Sequence, residues 1–122
     1  METVLVVEDE PMLLDLALTV LRDLGYAVIS AASPHEAIRL ADAHAGQIHL
    51  LLTDVVMPEM NGRDLAKRLQ SQYPNLKCLF TSGYTANIIA HHGILDGDMN
   101  FIQKPYTLEV LADKVRQALA SV

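Results

Sequence analysis

Four apolar runs in this chain each end on residues able to do chemistry. Glu8 and Asp9 follow "TVLVV" (3–7), and Asp54 follows "HLLLT" (49–53). The Thr81–Ser82 pair closes "LKCLFT" (76–81), and Lys104 follows "MNFIQ" (99–103). Three carboxylates brought together repel one another, so a proton or a cation must offset their charge. Hard oxygen donors in an open, wet cleft suit Mg2+, which keeps several waters and takes one or two carboxylates. Lys104 adds a compact positive charge, and the Ser82 hydroxyl can donate a hydrogen bond. A carboxylate nucleophile, a metal, a lysine and a hydroxyl meet the needs of phosphoryl transfer, in which positioning and charge neutralisation do most of the work. Asp54 would attack and carry the phosphoryl group as an acyl phosphate.

That chemistry requires the four runs to end on one edge. The runs are short and apolar, and "TVLVV" is also β-branched, so they read as buried strands, with a further one at "YAVIS" (26–30). Helical patterns separate them. Pro11 suits a first turn, and Leu13, Leu14, Leu16, Ala17, Val20, Leu21 and Leu24 recur at helical spacing up to Gly25, a C-terminal signal. Ser33-Pro34-His35-Glu36 is a capping-box pattern opening a helix that carries Ala37, Ile38, Leu40 and Ala41 and runs to about Gly46. A helix after Gly62 presents Leu65, Ala66 and Leu69 and stops before Pro74. A short helix is expected over 84–92. Thr107 caps a last helix with Leu108, Leu111, Val115 and Ala118 on its buried face. Strands alternating with helices predict an α/β domain: a doubly wound parallel sheet of five strands with helices on both faces. All strand C-termini then share one edge, where open sheets of this kind bind ligands.

The 122 residues fit one domain (1–122), and a hydrophobic content of 51% is enough for one core. A net charge of −6 argues against direct contact with nucleic acid. The lone cysteine, Cys78, sits in an apolar run, reads as a buried side chain and suggests a reducing, cytoplasmic setting. No apolar run approaches the roughly 20 residues of a membrane span. His91 and His92 are adjacent, face different directions on a helix and make no shared site.

The pieces "VLVVEDE", "LLTDVVMPEMNG", "FTSGY" and "FIQKPY" together resemble the receiver domain of two-component response regulators, in order and spacing, over essentially the whole chain. The resemblance implies a flavodoxin-like sheet of order 2-1-3-4-5. It implies that Glu8, through water, and Asp9 hold Mg2+, with the Val56 backbone carbonyl completing the shell around Asp54, the phosphoacceptor. Lys104 would pair with the phosphoryl group across a cis Lys104–Pro105 bond. Ser82, rather than Thr81, would be the switch hydroxyl, and Phe101 the aromatic switch residue, here without the hydroxyl often found there. The implied donor is a phosphohistidine on a histidine kinase or a histidine phosphotransfer domain. Phosphorylation would draw Ser82 toward the new oxygens and turn Phe101 inward, tipping a two-state surface.

The stretch "GYTANIIAHHGILDGDMN", interrupted by Gly93, resembles receivers fused to hybrid sensor histidine kinases. The chain stops just after the last helix, so it reads as a stand-alone receiver or, preferably, a piece of such a kinase, at the cytoplasmic end of a membrane-bound sensor. The domain would catalyse only its own phosphorylation and hydrolysis. Val56 and Tyr84 flank the site and neither orients water, so hydrolysis is expected to be slow. Two other classes remain: an interaction module that no longer uses phosphate, and a phosphatase with an aspartate nucleophile. The phosphatase would need an acid two residues after Asp54, where Val56 stands.

Overall fold

The computed structural model describes residues 2–83 and 101–120. The expected helix over 84–92, the paired histidines, Gly93, Tyr84 and the first two residues of "MNFIQ" lie outside the described residues. The strands are β1 (Thr3–Val7), β2 (Ala27–Ala31), β3 (Leu50–Asp54), β4 (Lys77–Ser82) and β5 (Phe101–Gln103). The helices are α1 (Pro11–Asp23), α2 (Pro34–Ala43), α3 (Gly62–Gln72) and α4 (Leu108–Ala120). All strand pairs are parallel, in the order β2-β1-β3-β4-β5.

Strand alternation divides the core in two. Leu5, Val7, Leu51 and Phe80 point to one face, under Ala37 and Ala41 of α2 and Leu65, Ala66 and Leu69 of α3. Val4, Val6, Leu50, Leu52, Leu79 and Ile102 point to the other, under Ala17, Val20 and Leu21 of α1 and Leu111, Val115 and Ala118 of α4. Burial on both faces is why these strands read as continuous apolar runs. The helices start where side chains take up free N–H groups. Ser33 accepts from Glu36 N–H at 3.2 Å, Asn61 from Asp64 N–H at 2.8 Å, and Thr107 from Val110 N–H at 3.1 Å. Gly25, at φ +95°, follows the end of α1 in the left-handed conformation that glycine adopts freely.

Several boundaries differ from the sequence expectation. Strands β2, β3 and β4 each lie one residue further along the chain, so that Asp54 and Ser82 are the last residues of their strands. The parallel ladder is made of backbone bonds and is indifferent to the polarity of its final side chain; Asp54 pairs in register with Thr81. Helix α2 stops at Ala43, before Gly46. Leu16, Leu24 and Leu108 are exposed, at 39%, 47% and 53%. Strand β5 has three residues and α4 has thirteen, so Leu108 in the first turn overruns the strand it would pack on.

The chain leaves β1 for β2 on one side and then crosses to β3 on the other. Strand order therefore reverses between β1 and β3, opening a crevice beyond their C-terminal ends. Leu79, fully buried between Leu52 and the α4 face, holds this side of the sheet. Leu79→Ala is expected to cost about 2–5 kcal/mol in urea denaturation; a loss below about 1 kcal/mol would count against a tightly packed second cluster.

Candidate functional site

The crevice collects Glu8 and Asp9 from the end of β1, Asp54 from the end of β3 and Lys104 from just past β5. Glu8, Asp54 and Lys104 continue the alternation of Val6, Leu52 and Ile102, which places them on the α1/α4 side of the sheet. The Lys104 ammonium lies 2.5 Å from Glu8 Oε1 and 3.1 Å from Asp54 Oδ2. The second oxygen of Glu8 accepts the Glu10 N–H at 3.2 Å, and Asp54 Oδ1 faces the Val56 N–H at 3.4 Å. Glu8 and Asp54 are only 5% and 8% exposed, whereas Asp9 is open to solvent. One carboxylate oxygen from each of the three lies within 4.8 Å of the others, a spacing that can hold a cation of the Mg2+ type.

Burial dominates the electrostatics. It pushes the Glu8 carboxyl up; the hydrogen bond and charge of Lys104 pull it back only in part, and the Asp54 charge adds to the rise. Burial likewise raises the Asp54 carboxyl, against the charge and hydrogen bond of Lys104 and the Val56 N–H. Burial acts to lower Lys104, but its bond to Glu8 and the charges of Asp54 and Glu8 outweigh that, and its net shift is upward. The pocket is an ammonium shared between two carboxylates that would each hold a proton more readily than in water.

The backbone around the pocket is tightly specified. The Lys104–Pro105 peptide is cis, as the resemblance implied, and the Lys104 N–H donates to the Ser82 carbonyl at 2.7 Å. Ser82, 1% exposed, ends β4; Thr81, opposite Asp54, lines a small cavity with Glu8 and Tyr106. Phe101 is half-buried, opposite Phe80 and packed against the α2/α3 cluster. The Val56 side chain is 45% exposed beside the site. Cys78 is half-buried rather than buried, because it stands near the start of β4 at the margin of the α2/α3 cluster; burial still pushes its thiol up to about 12, which fits an inert apolar role.

Two contributors escaped the sequence reading. Gly62 begins α3 against the end of β3; its N–H donates to the Val55 carbonyl at 2.8 Å, and a Cβ on it would stand 2.3 Å from the Asp54 carbonyl oxygen. In sequence Gly62 only marked where the next helix begins, so the signal was present but its reason was not. Tyr106 packs on the second cluster below Glu8, and burial raises its phenol. In sequence it was only the aromatic after Lys104-Pro105.

A doubly wound parallel sheet, with an acidic crevice at its strand-order reversal and a lysine beyond its last strand, defines the class: a flavodoxin-like domain with its site at the sheet edge. The family described as "Response regulator receiver domain" matches residues 4–116, and the chain belongs to it. It is 37% identical to the sensor kinase CckA of Brucella abortus (strain 2308) over 96% of this chain but 12% of the kinase. It is 32% identical to the response regulator receiver protein CpdR of the same strain, over 98% of both. The crystal structure of the receiver domain from the hybrid histidine kinase CckA superposes with a TM-score of 0.81 at 34% identity, covering 96% of this chain and 98% of that one. Receiver domains of two-component systems interact with histidine kinases or phosphotransfer proteins and generally bind Mg2+ through an acidic pocket. Among the described residues no helix is long and apolar enough to cross a membrane.

Two outcomes follow from this geometry. Gly62→Ala is expected to destabilise by about 1–3 kcal/mol in urea titration, because the clash is with backbone rather than with a flexible side chain; an unchanged midpoint would show that the α3 start can retreat freely. Asp54, raised in the fold, contributes stability at low pH that is lost as pH rises through its folded pKa. Without divalent cations, Asp54→Asn should therefore be the more stable protein at pH 7, by on the order of 1 kcal/mol. That gap should shrink as pH falls toward the ordinary aspartate value of 3.8. A less stable variant at pH 7, or a gap indifferent to pH, would contradict the burial argument.

Proposed function

We propose that Asp54 is the phosphoacceptor of this receiver domain and takes its phosphoryl group from a phosphohistidine of a histidine kinase or histidine phosphotransfer domain. The observation that carries this is the Asp54 carboxylate at the strand-order reversal, with Lys104 at 3.1 Å and two further carboxylates beside it. One Asp54 oxygen attacks phosphorus, the N–P bond to the donor imidazole breaks, and the imidazole leaves with a proton from solvent. Lys104 takes up charge on the transferred oxygens, and Ser82 donates to one of them. Glu8 through water, Asp9, Asp54 and the Val56 carbonyl would hold Mg2+, which when bound would supply the remaining charge neutralisation. Ser82 then moves toward the acyl phosphate, and Phe101, partly buried beside it in the sheet, turns inward.

The likeness to CckA supports a place for the domain within a longer hybrid sensor kinase, as a relay station between histidines. The exposed, apolar Val56 next to Asp54 offers no group to orient an attacking water, which favours slow hydrolysis.

Intact mass spectrometry after incubation with acetyl phosphate and Mg2+ tests the assignment. Wild type should gain one phosphoryl group, and neither Asp54→Asn nor an EDTA-treated sample should gain any. The label should then persist for minutes or longer once the donor is removed. A labelled Asp54→Asn would move the acceptor elsewhere; loss within seconds would refute slow hydrolysis.

A further inference from the structure

We infer that the Thr81 and Tyr106 hydroxyls hold one ordered water molecule beneath Glu8, and that this water keeps the Glu8 carboxylate turned toward the crevice. The water site stands on a cavity and its lining; its bearing on the crevice rests on the Mg2+ reading above. On the α1/α4 side of the sheet, under the strand ends, lies a cavity of about 10 Å3, room for a single water. Leu13 and Ala17 of α1 and Leu52 of β3 help to wall it, and its polar lining comes from Glu8, Thr81 and Tyr106.

Thr81 is the anomaly. It continues the alternation of Leu79 into the α1/α4 face, where an apolar side chain would pack dry, and it is 4% exposed. Its carbonyl accepts the Val55 N–H at 2.9 Å, but its hydroxyl has no hydrogen-bond partner among the described residues. The Tyr106 phenol has none among them either, and its ring packs on the same cluster. Burial raises that phenol, and the charges of Lys104, Glu8 and Asp54 act on it. A hydroxyl taken out of water without a partner is costly. A cavity lined by Leu and Ala alone would stay dry, whereas a buried water is held by two to four polar groups, and three line this one.

The count of donors and acceptors closes. A carboxylate only accepts, so the water donates one hydrogen to Glu8. Its other hydrogen and its lone pairs serve the two hydroxyls, each of which can donate or accept. Glu8 has the capacity: Oε1 takes the Lys104 ammonium, Oε2 takes the Glu10 N–H, and each oxygen keeps a second lone pair. Without a contact from below, the carboxylate is free to turn into the cavity, away from the Asp9 and Asp54 oxygens with which it converges. Thr81 and Tyr106 are thus positioning residues that act through Glu8.

Water–protein NOE spectroscopy on the metal-free full chain tests the site. The Thr81 methyl should show contact with a long-lived water, and the contact should be lost in Tyr106→Phe, whose ring fills the same space. Absence of that contact in wild type overturns the inference, whether or not any variant folds; its survival unchanged in folded Tyr106→Phe does so too. Calorimetric titration of Mg2+, with circular dichroism melts to verify folding, tests the positioning. Kd should rise about threefold in Tyr106→Phe and in Thr81→Val, the size of one lost water-mediated hydrogen bond. The double variant should lose no more than either single one, because both remove the same water. Thr81→Ser, which keeps the hydroxyl, should recover the affinity that Thr81→Val loses. Unchanged or tighter binding in the folded single variants overturns the positioning role. A wild type that binds no Mg2+ overturns the metal reading and that role with it, while the NOE contact still decides the water site.

Discussion

The structure turns on one ammonium held between two buried carboxylates. Taking Glu8 and Asp54 out of water is costly, and Lys104 offsets only part of that cost, as the upward shift of both carboxyls records. A protein selecting for stability alone would fill this edge with apolar side chains. The unfavourable charge is tolerated because the rest of the domain is built to hold it: two dry clusters clamp the sheet from both faces, and the strands deliver their final residues to a common edge.

Rigidity behind the site follows from the same construction. Asp54 is the last ladder residue of the central strand pair β3–β4, and Gly62 brings the start of α3 so close that no side chain fits between them. On the opposite flank, the Ser82 carbonyl fixes the Lys104 backbone. The three charged groups thus come from segments far apart in the chain but are each anchored within a residue or two of a strand end. Pocket geometry is inherited from sheet geometry, with little left to loop packing.

This explains what was legible in the sequence. Burial on both faces writes each strand as an apolar run, and the residue after the run marks the edge, so Glu8, Asp9, Asp54 and Lys104 could be placed together from pattern alone. The one-residue offsets at β2, β3 and β4 arose because hydrophobicity stops before the backbone ladder does. The exposed Leu108 was misread because helical periodicity reports a face but not where the sheet beneath it ends. Gly62 was visible as the residue that opens a helix, yet its role depends on a distance to a carbonyl that no local pattern encodes. The preference of Lys104 for Glu8, 96 residues away, was beyond reach for the same reason.

That preference changes how the lysine should be understood. A lysine paired with Asp54 alone would report on that carboxylate only. Bonded more closely to Glu8, it links the two carboxylates, because whatever binds Glu8 alters the charge felt at Asp54. Arithmetic of charge makes the point: with all groups ionised, three carboxylates and one ammonium leave a net of −2, which a divalent cation would cancel. An acyl phosphate dianion in place of the Asp54 carboxylate would then return a single negative charge. The cluster of acids that burial makes costly is thus also what gives this edge its capacity for a cation.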